Sequence, residues 1–172
     1  MKKSFSNGLC QLLFPVLIAT ASLLTTACNK DNEIVSPPAK DYSAIDDAII
    51  QKYFADSAIT TAKKSVSGLY YVPVVTNPTA VQAVAYNTVD VKYTGRFMDG
   101  KVFDTSGSRS FSFVLGQHQV IAGWDEGIAL MHKGDKAVLV IPSALAYGAG
   151  GAGQTIPPNT VIRFNVELVN VR

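Results

Sequence analysis

The sequence predicts an α+β fold in which a curved antiparallel β-sheet wraps around one short α-helix. Three observations support this class. Several stretches alternate between apolar and polar residues, as strands do when one face is buried and the other is in water. Only one short helical segment, at 124–131, interrupts these strands, so it alone is available to cover their apolar face. A further helical segment precedes the sheet and forms an N-terminal extension.

Residues 1–27 are predicted to be a signal peptide. Lys2 and Lys3 form a basic start, residues 9–24 form an apolar stretch, and small residues then precede Cys28. A membrane-spanning helix needs about 20 apolar residues, and Pro15 together with several polar positions makes this stretch a poor one. We therefore interpret it as a secretory signal.

Residues 25–27 followed by Cys28 resemble the lipobox of bacterial lipoproteins, in which the cysteine becomes the lipidated N-terminus. Residues 29–33 are similar to the acidic export tags of surface lipoproteins in Bacteroidetes. These resemblances imply a cell-envelope protein, anchored by lipid to a membrane and facing the periplasm or the cell surface. The alternative is a plain secreted protein. Cys10 leaves with the signal, so no intrachain disulfide can form in the mature chain.

Residues 28–40 are polar and contain Pro37 and Pro38, which suits an extended tether. An N-terminal helical segment at 41–66 follows, with a helix predicted over 41–61 from the spacing of its apolar residues. This helix would pack against the following domain or against a second copy of the chain, so the oligomeric state stays open. The main domain is predicted at 67–172.

Four strands are predicted in this domain, over residues 68–75, 88–94, 110–115 and 161–167. Pro73 restricts the first of them to a sheet edge or a strand end. In the third, alternation places Phe111, Phe113 and Leu115 inward. The last shows the clearest alternation, with the apolar residues at 162, 164, 166 and 168 on one face.

Composition and missing motifs exclude several functions. The chain has 15 basic and 13 acidic residues, and Lys2 and Lys3 account for the whole excess, so a nucleic-acid partner is not expected. His118 and His132 are the only histidines and have no other ligand at metal-binding spacing, so neither a metal nor a cofactor is expected. No motif for nucleophilic catalysis is present.

A glycine-rich run at 148–153 matches the G-x-G-x-x-G pattern of dinucleotide-binding proteins as a string. That pattern binds a dinucleotide only when a helix begins at its last glycine. Pro157 and Pro158 follow closely and are incompatible with such a helix. We interpret the run as a flap bordering a site.

Large apolar groups recur at strand ends or beside glycines in six segments, which are Tyr93-Thr94-Gly95, Phe103-Asp104-Thr105, Phe111-Ser112-Phe113, residues 120–124, Ala146-Tyr147-Gly148 and Ile156-Pro157-Pro158. In this order and spacing they resemble the FKBP-type peptidyl-prolyl isomerases, from about residue 88 to the C-terminus. The resemblance implies an FKBP-like domain that isomerises X-Pro bonds in exported proteins. It also implies proline-containing polypeptides as partners and macrolide inhibitors as ligands.

The resemblance also implies roles for individual residues. Trp124 would open the short helix and form the pocket floor, Tyr147 would donate a hydrogen bond to a substrate carbonyl, and the Ile121 N–H would bind another. Asp104 would be the single acid at the wall, held by a neighbouring tyrosine. The remaining residues would form the walls of the pocket, its rim and the far side of the flap. They are Tyr93, Phe103, Phe111, Phe113, Val120, Ile121, Ile156 and Phe164.

Two features depart from the family pattern. The segment between Asp104 and Phe111 is shorter, which leaves open whether Arg109 belongs to the pocket. The flap is built of Gly and Ala, with Ala152 and Thr155 at the expected ligand contacts, so ligand selectivity should differ there. Two other functions remain as alternatives: a lipid-anchored chaperone or binding module with little catalysis, and a structural or adhesive surface protein.

Overall fold

The structure is a computed structural model that describes residues 40–172. The predicted signal peptide, Cys28 and the predicted tether up to residue 39 lie outside the described residues. Within 40–172, no helix combines the length and the apolar character that crossing a membrane requires. In chain order the elements are α1 Ser43–Asp56, β1 Lys63–Lys64, β2 Tyr70–Val75, β3 Thr88–Phe97, β4 Val102–Thr105, β5 Phe111–Val114, α2 Ala122–Ala129, β6 Lys136–Ile141, two 3₁₀ turns at Ser143–Leu145 and Gly148–Gly150, and β7 Ile162–Val171.

The described strands form one seven-stranded sheet with the order β1-β2-β6-β7-β3-β4, and every pairing is antiparallel. β5 pairs with the first half of β3, and β4 pairs with its second half. This curved antiparallel sheet with one short helix on it confirms the predicted fold class. The long pairing of β3 with β7 places Phe164 opposite Gly95 in the middle of the sheet.

The inner face of the sheet packs against α2. Trp124 and Ile128 of α2 join Leu139, Ile162 and Phe164 of the strands in one buried cluster. α2 lies very close to β6, because a Cβ at Gly123 would stand 2.5 Å from Ile141 and one at Gly127 would stand 2.7 Å from Leu139. These two glycines therefore set the distance between the helix and the sheet.

The outer face of the sheet is covered in part by α1. Ile50 and Phe54 of this helix pack against Tyr70, Val138 and Val140 of β2 and β6. These strands are therefore buried on both faces, whereas the sequence patterns predicted one wet face throughout. β6 was not predicted as a strand, and its apolar run from 137 to 141 shows no alternation because each face meets a different helix.

α1 ends at Asp56, before the predicted limit at residue 61. Ala58 adopts a left-handed conformation with φ of 52°, and the Ile59 N–H donates to the Phe54 carbonyl at 2.9 Å. This is a Schellman ending, in which the residue after the cap usually is glycine. Ile59 then packs beside Phe54 in the outer cluster, which compensates for the strain at Ala58.

Pro73 lies where β2 is an edge strand. β1 pairs only with Tyr70 and Tyr71, while Pro73 has a partner, Ala137, on the β6 side alone. The missing N–H of proline therefore leaves no ladder hydrogen bond unmade. The short strands β1 and β4 were not predicted, and β4 carries the segment around Asp104 that the family resemblance identified.

Candidate functional site

A cavity of about 210 Å³ opens between β3, β4, β5, β7, the start of α2 with the residues before it, and the segment after β6. Eight of the eleven predicted pocket residues line it, together with one that was not predicted. The lining side chains are Tyr93, Asp104, Phe111, Gln119, Val120, Ile121, Trp124, Tyr147 and Phe164. Residues more than 70 positions apart in the sequence therefore meet at one site. Among residues 40–172 no cluster of His, Cys, Asp or Glu is arranged to hold a metal ion.

Trp124 forms the buried base of this cavity, with 4% of its surface exposed. It is the third residue of α2, which begins at Ala122, so it does not open the helix as predicted. Tyr93 and Phe164 meet it edge to face, with ring centroids at 4.9 and 5.1 Å. Such aromatic pairs are favourable beyond their buried area, so the orientation of the indole is fixed from two sides.

Three predicted residues support the lining side chains from behind. Phe103 packs edge to face on Phe164 with centroids 5.4 Å apart, and Phe113 lies 5.9 Å from Trp124. Ile156 is 4% exposed and belongs to the same buried cluster. They hold the walls in place without facing the cavity themselves.

Phe111 lies at the rim. It lies on the same face as Phe113, as alternation predicts, but it is 42% exposed because it stands at the open edge of the cavity. Its ring stacks on Phe113 at 5.7 Å and stands 6.2 Å from both Tyr93 and Trp124. The rim position that the family resemblance implied describes it better than strand periodicity does.

Asp104 and Tyr93 form a hydrogen-bonded pair at the wall. The Tyr93 hydroxyl donates to Asp104 Oδ2 at 2.8 Å, and the Thr105 N–H donates to Oδ1 at 2.8 Å. Burial of the ring, followed by the hydrogen bond to Asp104, raises the pKa of Tyr93 to about 12. Tyr93 is therefore a neutral donor near pH 7, and both oxygens of Asp104 are held.

Two hydrogen-bond donors at the cavity have no partner within the described residues. The Ile121 N–H finds no acceptor there, while the Ile121 carbonyl accepts from the Trp124 N–H at 2.9 Å. The Tyr147 hydroxyl is also unbonded, and burial together with the negative charge of Asp104 raises the pKa of Tyr147. Both groups remain free to donate to the carbonyl oxygens of a bound ligand.

Gln119 lines the cavity although sequence reasoning missed it. Its Oε1 accepts from the Val114 N–H at 3.0 Å, which ties the connection before α2 to the end of β5. The only sequence signal was its position directly before Val120. Arg109, by contrast, is exposed and does not line the cavity; it lies in a turn closed by its own N–H on the Ser106 carbonyl at 3.3 Å.

The glycine-rich flap forms a small hairpin beside the site. Ala152 and Ile156 exchange backbone hydrogen bonds of 2.8 and 3.1 Å, and the Asn159 N–H donates to the Gly148 carbonyl at 2.8 Å. No helix follows the run at 148–153, in agreement with rejection of a dinucleotide site. Thr155 is exposed, and Ala152 packs partly against the core.

Comparison with known proteins identifies the family. The sequence profile of the FKBP-type peptidyl-prolyl cis-trans isomerases matches residues 79–169. "FK506-binding protein 2" of Candida glabrata is 50% identical over 94 residues, which cover 53% of this chain and 69% of that protein. "FK506-binding protein 4" of Dictyostelium discoideum is 40% identical over 126 residues, covering 73% of this chain but only 34% of the relative.

Among solved structures, FkpA from Escherichia coli superposes with a TM-score of 0.65 and 38% identity, covering 76% of this chain and 61% of that one. Fold, pocket and sequence thus agree on one class, the peptidyl-prolyl isomerases. The chain belongs to the FKBP-type peptidyl-prolyl cis-trans isomerase family, which confirms the resemblance seen in the sequence.

Proposed function

We propose that this chain catalyses the cis/trans isomerisation of X-Pro peptide bonds in exported proteins. One observation carries the proposal: a buried aromatic floor, Trp124, lies in the same small cavity as two free donors, the Tyr147 hydroxyl and the Ile121 N–H. The volume of about 210 Å³ is below the roughly 300–1,000 Å³ of pockets for drug-sized ligands. It suits one side chain of a polypeptide, such as a proline ring.

The chemistry needs no covalent step. Rotation about a peptide bond faces a barrier of about 18–20 kcal/mol because resonance stiffens the C–N bond. The planar amide is more dipolar than the twisted one, so a cavity that removes water from the amide destabilises the planar form relative to the transition state. The rings of Trp124, Tyr93 and Phe164 provide such an apolar surface.

The two free donors would fix the direction of the twist. Tyr147 and the Ile121 N–H can each bind a carbonyl that flanks the X-Pro bond, which holds the substrate backbone in a turn. Proline peptides are suitable substrates because their cis form costs only about 0.5–1 kcal/mol and exchanges slowly enough to limit folding. Asp104 contributes indirectly, by fixing the hydroxyl of Tyr93 at the wall.

Tyr147→Phe tests this assignment, with Tyr86→Phe as the matched control. Tyr86 is 76% exposed and does not line the cavity. We expect the Tyr147 variant to lose about tenfold in kcat/KM for a proline-containing peptide, as loss of one transition-state hydrogen bond would cause, while the Tyr86 variant retains full activity. Equal activity of the two variants would show that the Tyr147 hydroxyl takes no part.

A binding module with little catalysis is the second candidate. The exposure of Phe111 at the rim favours this candidate. An exposed ring beside the aromatic cavity can bind an extended peptide without isomerising its X-Pro bond. A macrolide inhibitor would bind in either case and change the fluorescence of Trp124, the only tryptophan in the sequence. Binding without a rate increase would therefore favour the module, and absence of binding would favour a structural protein.

We also propose that the protein is a bacterial lipoprotein of the Bacteroidetes type, anchored through Cys28 in the cell envelope. The support is the order of a basic start, an apolar stretch, small residues and Cys28 in the sequence, followed by the residues at 29–33. Mass spectrometry of the mature N-terminus tests this directly. A diacylated or triacylated Cys28 is expected, and an unmodified N-terminus would indicate a plain secreted protein.

A further inference from the structure

α1 reaches the segment that carries Tyr147 through one buried side chain. Asp46 lies in the first turn of α1 and is 1% exposed. Its Oδ2 accepts two hydrogen bonds from Ser143, one from the backbone N–H at 2.8 Å and one from the hydroxyl at 2.7 Å. Ser143 itself is 2% exposed, so water does not compete for these bonds.

Ser143 is connected to Tyr147 by a short turn of the backbone. It begins the 3₁₀ turn Ser143–Leu145, and the first N–H groups of a helical turn have no partner within it. Asp46 supplies that partner from another element. The Ser143 carbonyl then accepts from the Ala146 N–H at 3.1 Å, and Tyr147 is the next residue. The position of Ser143 therefore sets the position from which the Tyr147 side chain enters the cavity.

The attachment of α1 to the sheet does not require this buried acid. Ile50 and Phe54 already pack on the outer face, and the neighbouring Asp47 accepts from Lys64 Nζ and the Tyr70 hydroxyl at 2.6 Å each. Asp46, by contrast, keeps Oδ1 buried without a partner among the described residues. Burying a polar oxygen in this way is unfavourable, so helix docking alone does not explain an acid at this position.

We propose that Asp46 is a positioning residue for Tyr147, and that α1 acts on catalysis by holding Ser143 in place. The proposal rests on the role assigned to Tyr147 under the proposed function. Under this proposal, the N-terminal helix α1 contributes to catalysis by the isomerase domain. Loss of the Asp46–Ser143 contact should free the turn at 143–145 and widen the range of positions open to the Tyr147 hydroxyl.

The test compares Asp46→Ala and Ser143→Ala with Asp47→Ala in the full chain. We expect Asp46→Ala to lower kcat/KM for a proline peptide about tenfold, equivalent to about 1.4 kcal/mol of transition-state stabilisation. Ser143→Ala should lower it less, because the backbone N–H bond remains. Asp47→Ala removes the bonds to Lys64 and Tyr70 but leaves Asp46, Ser143 and the packing of Ile50 and Phe54 in place, so it should leave kcat/KM unchanged.

A double-mutant cycle with Tyr147→Phe separates positioning from a general effect on the fold. If Asp46 acts through the Tyr147 hydroxyl, Asp46→Ala should have little effect once that hydroxyl is gone. Equal losses in both backgrounds, or a fully active Asp46→Ala variant, would overturn the proposal. If Asp46→Ala does not fold, the same cycle with Ser143→Ala decides.

Hydrogen exchange of the Ala146 amide distinguishes failure of this inference from failure of the proposed function. In Asp46→Ala and Ser143→Ala it should exchange faster than in the wild type, while amides of α2 keep their rates. Faster exchange together with a fully active Tyr147→Phe variant would mean that the assigned role of Tyr147 is wrong although the mechanical link exists. Unchanged exchange would refute the link itself.

Discussion

Gly95→Ala offers a test of the pocket wall that depends directly on the packing around one residue. Gly95 lies on β3 opposite Asp104 of β4 and Phe164 of β7. A Cβ added there would stand 2.7 Å from Cε2 and Cζ of Phe103 and 2.7 Å from Cε1 of Phe164. Phe164 lines the cavity and Phe103 packs directly behind it, so one methyl group would disturb both the wall and its support.

The size of the effect follows from these distances. Carbon atoms pack best at about 3.5–4.0 Å, so each ring must move by roughly 1 Å. Overpacking of this kind usually destabilises a core by about 1–3 kcal/mol, and a displacement of about 1 Å near the reacting groups can lower a rate by about 100-fold. We therefore expect a variant that folds with reduced stability and whose kcat/KM falls about 100-fold, equivalent to about 2.7 kcal/mol of transition-state stabilisation.

Two measurements check this prediction: chemical unfolding for stability, and kcat/KM for isomerisation of a proline peptide. Gly150→Ala is the matched control, because no heavy atom lies within 4 Å of a Cβ at Gly150. It should leave both quantities close to wild type. A Gly95→Ala variant with full activity and a stability loss of about 1–3 kcal/mol would refute the reasoning, since the wall would have moved without consequence for catalysis.

Three further outcomes are expected. Trp124→Ala should lower the free energy of unfolding by about 3–5 kcal/mol because the side chain is almost fully buried. Phe111→Ala should lower it by less than about 1 kcal/mol, because Phe111 is exposed. Similar losses in the two variants would contradict the burial of Trp124 at the base of the cavity. Asp104→Ala should lower kcat/KM about tenfold with little loss of stability, since Asp104 is exposed; parallel losses of folding and activity would make it a structural residue. The pKa of Tyr93 lies above its ordinary value of 10.0, at about 12, so from pH 10 to 12 the unfolded tyrosine loses its proton while the folded one keeps it. Wild-type stability should therefore fall over this range more than that of Tyr93→Phe, and parallel curves in pH-dependent unfolding would contradict the raised pKa.

Much of the fold could be predicted from local patterns, and the exceptions have identifiable physical causes. β7 alternates clearly because Ile162 and Phe164 face the core while Arg163 and Asn165 do not. β6 gives no such pattern because Val138 meets α1 on one face and Leu139 meets α2 on the other. The early end of α1 depends on Ala58 in a left-handed conformation, which no residue preference indicates.

The candidate site could be predicted in part for a different reason. Its residues were identified by their joint order along the chain, and eight of them line one cavity. Periodicity alone predicted the face on which Phe111 lies but not its exposure at the rim of the cavity. The contact between Asp46 and Ser143 joins residues 97 positions apart, so only the folded chain reveals it.

The most direct test of the proposed catalysis is the rate of cis/trans exchange of a proline-containing peptide in the presence of the chain from Asn29 onward. Exchange measured by NMR should become faster as the protein concentration increases. Uncatalysed exchange has a time constant of about tens to hundreds of seconds at 25 °C, and the catalysed exchange should be far faster. A macrolide inhibitor should abolish the acceleration. Exchange at the uncatalysed rate, with peptide binding still visible in Trp124 fluorescence, would contradict catalysis and leave a binding module.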